Sequence, residues 1–183
     1  MTVAKTVWGF IQNRDDRVMQ RMNNWKAPRW IRFWMLASTR MGDGWLWYSL
    51  GFILLLVGGP ERYAAVSAAG CAAIAGVFVF KGLKKLSHRQ RPCHIATHCW
   101  ATVLPPDQFS FPSGHTMTAF SIALVVSYFY QPLEGPMYFL AASIALSRVV
   151  LGMHYLSDVL AGVVLGSALG MASIITFVAY GLA

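Results

Sequence analysis

Acidic side chains are scarce in this chain. Seven Asp and Glu stand against fifteen Lys and Arg, and only 12% of residues are charged. Soluble domains run near about 25% charged, so the deficit excludes an ordinary water-facing surface. With 56% of residues hydrophobic, this is a membrane composition. Cysteine is also sparse, at three in 183 residues, which leaves too few for a disulfide-built scaffold. No internal repeat and no low-complexity tract is present. The start shows no uninterrupted apolar core of the secretory-signal kind, because Lys5 is followed by Arg14, Asp15, Asp16 and Arg17. The length has room for one domain. The net charge of +8 does not point to nucleic acid, since the basic residues lie ahead of the first apolar run and around three short motifs, with no aromatic-interleaved binding face. It reads as membrane topology plus anion binding.

What is present is apolar runs separated by Gly and Pro breaks. Residues 1–43 read as an amphipathic, interfacial N-terminal segment and 44–183 as the transmembrane domain. In the first, Trp8, Phe10 and Ile11 precede Arg14, Arg17 and Arg21, and Arg29 to Arg40 is aromatic, basic and too short to span. Met41-Gly42-Asp43-Gly44 breaks the chain before the next helix. Five spans are expected: Trp45 to Val57, Tyr63 to Leu83, Ser113 to Tyr130, Met137 to Leu151 and Tyr155 to about Tyr180, with a sixth conceivable before Asp43. The fold class is therefore all-α, a polytopic transmembrane bundle with interfacial N-terminal helices. Seven Trp and seven Tyr suit anchoring at the bilayer interface. Gly162, Gly166 and Gly170 recur every four residues along the last run, a small-residue face for close helix packing.

Three motifs sit at the mouths of these runs: K-x6-R-P (Lys84 to Pro92), P-S-G-H (Pro112 to His115) and S-R-x5-H-x3-D (Ser147 to Asp158). Five spans put all three on one side of the membrane. His154 and Asp158 are four apart, so on a helix they share a face, and the carboxylate can fix the ring's tautomer and free its other nitrogen to attack. Standing alone, such a pair is more often a satisfied core histidine, but Asp158 is the only acid after Glu134 and opens an apolar run, where ionisable groups are functional candidates. A helix starting at Ser113, with Pro112 as its first-turn proline, points free N–H groups and positive dipole at an anion. Gly114 admits an oxygen closely, Ser113 can cap or donate, and His115 can protonate a leaving oxygen. The bland alternative is a plain N-cap beside a surface histidine. Lys84, Arg91 and Arg148 suit phosphoryl oxygens. Lys81, Lys85 and Arg89 read as topology anchors.

Taken together, the motifs resemble the tripartite signature of the type 2 phosphatidic acid phosphatase family, over roughly residues 44 to 180. The pattern is similar to the bacterial membrane branch that includes phosphatidylglycerophosphate and undecaprenyl pyrophosphate phosphatases. The resemblance implies a lipid phosphatase working through a phosphohistidine, with no metal and no cofactor. It implies His154 as nucleophile, Asp158 as its orienting acid and His115 as general acid and then base. Lys84, Arg91, Ser113, Gly114 and Arg148 would bind the phosphate. The substrate is a lipid phosphate or diphosphate, and the partners are membrane lipids.

Three rival readings remain: a lipid-to-lipid phosphotransferase, a vanadate-dependent haloperoxidase-like anion site, and a non-catalytic anion binder. One departure is the lack of a span ahead of the interfacial helix. It puts Lys5, Arg14, Arg17, Arg21, Lys26, Arg29, Arg32 and Arg40 on the active-site side, against Arg62 opposite. The positive-inside rule then favours an inner-membrane protein with a cytoplasmic site, whereas the resemblance implies an extracytoplasmic one. Cys71 reads as packing. Cys93 and Cys99, flanking His94 and His98, fit no standard zinc spacing and stay open between free loop thiols, a disulfide and a metal site.

Overall fold

The computed structural model describes residues 2–95 and 107–182. Cys99 and His98 lie outside the described residues. The described chain is helical, with one isolated bridge between Gln90 and Phe109. The N-terminal segment forms α1 (Thr2–Asn24) and α2 (Arg29–Met41), separated where Pro28 takes the N-cap of α2. The four residues expected as a break do turn the chain. Gly44 adopts φ +107°, a region costly to any residue with a Cβ, and α3 (Trp45–Val57) starts behind it. Next come α4 (Arg62–Ser87), the short α5 (Pro92–Ile95) and α6 (Gly114–Phe129). A 3-10 turn (Gln131–Leu133) runs into α7 (Glu134–Val150), and α8 (Leu156–Ala179) ends the fold.

Two sequence expectations are corrected. Pro112 is not in the first turn of a helix: α6 begins at Gly114, Ser113 is its N-cap and Pro112 precedes the cap. His154 is not on a helix with Asp158, because α8 starts only at Leu156 and His154 belongs to the loop before it.

Among the described residues, α4 and α8 are long and apolar enough to cross a bilayer. At about 1.5 Å per residue, the 13 residues of α3 reach only about 20 Å, short of a hydrocarbon core of about 30 Å. Large apolar side chains such as Phe78, Val164 and Ile175 point outward from the two long helices, as a lipid-facing surface requires.

The helix α6 is the centre, with α4, α7 and α8 packed around it. The α8 glycines make this possible. A Cβ at Gly166 would stand 2.3 Å from the Met117 carbonyl oxygen, at Gly162 2.8 Å from that of Ser113, and at Gly170 2.9 Å from that of Ser121. The expected small-residue face therefore lets two backbones touch, which fixes the mouth of α6 against the start of α8. A second core lies under the loop that carries His154. Val150, Leu151 and Met153 pack there against Ala27 and Met35 of the N-terminal segment.

Candidate active site

The ends of three helices and two connecting segments deliver the motif residues to one place. Lys84 comes from the last turn of α4, Arg91 from the segment after it, Gly114 and His115 from the first turn of α6, Arg148 from the last turn of α7, and His154 from the α7–α8 loop. These six line a single cavity of ≈ 840 Å³. Ser113 and Asp158, both fully buried, are not among its lining residues.

His154 is 2% exposed. Its Nε2 lies 3.1 Å from Arg91 Nη1. A guanidinium can only donate, so Nε2 must carry the lone pair and Nδ1 the hydrogen. Burial first, then the charges of Arg91, Arg148 and Lys84, push the ring's pKa well below 6.5 and keep it neutral. Nδ1 faces Asp158 Oδ2 at 3.7 Å, beyond a hydrogen bond, and has no hydrogen-bond partner. Asp158 is held by the start of its own helix, where Oδ2 accepts the Tyr155 N–H at 2.9 Å in a capping box.

The cations divide into satisfied and unsatisfied. Lys84 Nζ bonds Asp107 Oδ2 at 2.6 Å, and Arg91 Nη2 bonds Asp107 Oδ1 at 2.8 Å. Burial works to raise the Asp107 pKa, but these two hydrogen bonds outweigh it and hold the carboxyl below its usual range. Asp107 is thus an internal anion between two cations, at a place where a phosphate could stand. Arg148 is the opposite case. It is 2% exposed, its Nη1 donates to Thr39 Oγ1, and its Nε and Nη2 are buried with no acceptor. Buried donors without a partner are costly, and on a cavity wall they call for an anion.

The P-S-G-H turn is arranged differently from its sequence reading. The Ser113 hydroxyl pairs with Thr116 Oγ1 at 2.9 Å, and its backbone N–H donates to the Asp158 carbonyl at 3.1 Å. Ser113 makes no side-chain cap, so its first expected role is filled by the link to α8 instead. Gly114 does line the cavity. A Cβ there would meet the Phe80 ring at 3.3 Å, so the ring would have to give by a few tenths of an ångström to admit one. His115 Nε2 lies 2.9 Å from Asp43 Oδ1.

Several residues of the site fall outside the three motifs. Thr39, Gly42 and Asp43, at the α2–α3 junction, form a further wall. Gly42 is so close to His115 that a Cβ would stand 2.8 Å from the ring. In the sequence this stretch read only as a break, although one of only seven acids stands in it. Asp107 carried no motif signal. Arg89, read as an anchor, instead has a side chain only 11% exposed and bonds Asp158 Oδ1 at 2.6 Å, because the loop after α4 turns it inward. Cys93 is a free thiol.

The PAP2 superfamily profile matches residues 64–180. A decaprenylphosphoryl-5-phosphoribose phosphatase of Mycobacterium tuberculosis is 35% identical over 140 residues, covering 74% of this chain and 77% of its own length. In fold, the chain is similar to Aquifex aeolicus LpxE, with a TM-score of 0.74 at 24% identity over 86% of this chain and 93% of that one. It is also similar to the transmembrane PAP2-type phosphatidylglycerolphosphate phosphatase from Bacillus subtilis, with a TM-score of 0.68 at 23% identity over 90% and 84%. The chain belongs to the PAP2 superfamily and is a lipid phosphatase.

Proposed function

We propose that the chain hydrolyses a phosphomonoester or diphosphate of a membrane lipid through a phosphohistidine on His154, without a metal. The observation that carries this is the meeting, in one cavity, of a neutral buried imidazole whose Nε2 lone pair meets Arg91 and an arginine with two unpartnered buried donors. As Arg91 turns its Nη1 to a phosphate oxygen, Nε2 of His154 is released from that hydrogen bond and attacks phosphorus. Lys84, Arg91 and Arg148 take the charge on the equatorial oxygens, with the phosphate replacing Asp107 between the first two. The P–O bond to the lipid breaks and the leaving oxygen takes a proton from His115. Water, giving its proton back to His115, then cleaves the N–P bond and releases phosphate.

The rest of the cavity supports a lipid. Beyond the polar end it is walled by Trp47 and Tyr48 of α3, Ile74, Val77 and Phe80 of α4 and Ile122 of α6, an apolar sleeve between helices. The relatives named for decaprenylphosphoryl-phosphoribose and phosphatidylglycerolphosphate bracket the substrate class, a polyprenyl or glycerolipid phosphate. The reading takes α3, α4, α6, α7 and α8 as five spans, the short α3 crossing only with its flanking residues, which puts the site on one side and leaves α1 and α2 at the interface.

Hydrolysis of a panel of phosphatidic acid, phosphatidylglycerophosphate, polyprenyl diphosphate and lipid A by purified protein tests the reading. His154→Ala should lose on the order of 10⁴-fold or more in activity while remaining folded in detergent. Wild-type turnover should survive EDTA. Loss with EDTA that a divalent ion restores, or an active His154→Ala, overturns the mechanism.

A cytoplasmic site in the inner membrane is the side that charge supports. Asp15 of the basic N-terminal segment bonds Ser157 at the start of α8, which ties that segment to the site's side. With Cys71 replaced, an impermeant thiol reagent should label Cys93 only after lysis. Burial raises the Cys93 pKa, so labelling is done at alkaline pH. Labelling in intact cells would place the site outside.

A further inference from the structure

Asp15 lies on α1, a helix otherwise suited to a membrane surface, yet it is 3% exposed. Its Oδ1 accepts the backbone N–H of Ser157 at 3.0 Å, and its Oδ2 accepts both the Ser157 hydroxyl and Arg89 Nη2, the latter at 2.6 Å. The other arm of Arg89, Nη1, donates to Asp158 Oδ1 at 2.6 Å and to Ser157 Oγ at 2.7 Å. The guanidinium stacks at 4.0 Å on the Tyr155 ring. One planar fork therefore joins two buried carboxylates, one on α1 and one beside His154.

We propose that Asp15 and Arg89 are positioning residues, a relay behind the site through which the N-terminal helix holds Asp158, and so His154, in place for attack. The proposal rests on the reading of His154 and Asp158 as nucleophile and orienting acid. Three observations carry it. First, both oxygens of Asp158 are engaged away from the cavity, Oδ1 by Arg89 and Oδ2 by the Tyr155 N–H, so its carboxylate plane cannot turn about. Second, Arg89 is not among the residues lining the phosphate cavity, so it acts on the chemistry only through Asp158. Third, Asp15 lies outside the three motifs and outside residues 64–180, the stretch the family profile matches, so this contact brings a distant part of the chain to the carboxylate beside His154. Removing Arg89 would leave two buried carboxylates without a cation, and removing Asp15 would leave half of the fork unpaired. A lysine carries the charge but has no second arm to span both acids.

The test uses the full-length chain in detergent, with kcat and KM on a lipid phosphate it turns over and the inhibition constant of inorganic phosphate. Asp15→Asn and Arg89→Ala should each lower kcat by about 10²-fold, the scale of a small misplacement of reacting groups. KM and phosphate inhibition should not move. Arg89→Lys should recover part of the loss. The double Asp15→Asn/Arg89→Ala should lose no more than Arg89→Ala alone, because the two act in series. Melting in detergent checks folding, and Arg89→Lys with Asp15→Asn carry the test if Arg89→Ala does not fold. A folded Asp15→Asn with wild-type kcat overturns the relay. So does a rise in KM and phosphate inhibition constant alongside the kcat loss, which would make Arg89 a phosphate ligand. An inactive His154→Ala beside wild-type-like relay variants would sink the relay alone. An active His154→Ala would sink the functional reading itself.

Discussion

His154 sits in the loop between α7 and α8 and His115 on the first turn of α6, and the charged group nearest each ring differs in sign. His154 is surrounded by Arg91, Arg148 and Lys84, is closed off from water, and has an unbonded Nδ1 facing Asp158. His115 touches a carboxylate, Asp43, and is walled by Gly42. A ring among cations in a dry site stays neutral, with its lone pair available to attack phosphorus. His115 instead has the Asp43 carboxylate at its Nε2, and a bound phosphate would bring a second anion beside it. On this comparison we propose attack by the first ring and proton transfer by the second, the roles that the family resemblance implies for them.

The sharpest way to break that assignment is to vary the leaving group. With an alkyl lipid phosphate, His115→Ala should lose about 10²–10⁴-fold in kcat, the usual worth of general acid catalysis. With an aryl phosphate whose leaving oxygen needs no proton, the same variant should recover most of that loss, while His154→Ala stays inactive on both. Equal losses on both substrates would show that His115 does not protonate the leaving group. The pH profile adds a second reading. Because the His154 pKa is pushed down from 6.5, the ring remains unprotonated as the pH falls through that value. The aryl-phosphate rate of His115→Ala should therefore show no acid limb there. A limb centred near 6.5 would mean that His154 titrates as an ordinary exposed histidine.

Much of this was legible in the sequence, and the misses have physical causes. Lys84, Arg91, Gly114, His115, Arg148 and His154 do meet in one cavity, and their place at the mouths of hydrophobic runs was a one-dimensional signal. The glycine face at 162, 166 and 170 was legible for the same reason, being periodic, though its partner α6 was not. Side-chain direction was not legible. Ser113 turned to Thr116, and Arg89 turned inward to Asp158, because a loop conformation sets where a side chain points. The α2–α3 junction was missed because Asp43 reaches His115 across 72 positions of sequence, and only the packing of α2 on α7 brings them together. His154 left the helix expected for it because the loop ahead of α8 is held to α7: the N–H groups of both Met153 and His154 bond the Arg148 carbonyl.

The smallest effect sharpens the comparison most finely. Asp43 is 41% exposed at its side chain, so water and Arg40, 3.6 Å away, blunt its pull on His115. Asp43→Asn keeps the shape and an acceptor for His115 Nε2 but removes the charge that stabilises a protonated ring. If Asp43 works through His115, kcat on an alkyl lipid phosphate should fall by about tenfold, the equivalent of roughly one pKa unit of proton affinity. On an aryl phosphate the variant should match wild type, and combining it with His115→Ala should add nothing, because the carboxylate would have no ring left to act on. Melting temperature in detergent should stay close to wild type, since the carboxylate is half exposed. A tenfold loss on both substrates would instead make Asp43 part of the wall that shapes the cavity. A gain in activity on both would make it a repulsive charge against the incoming phosphate, and the asymmetry between the two histidines would then rest on burial alone.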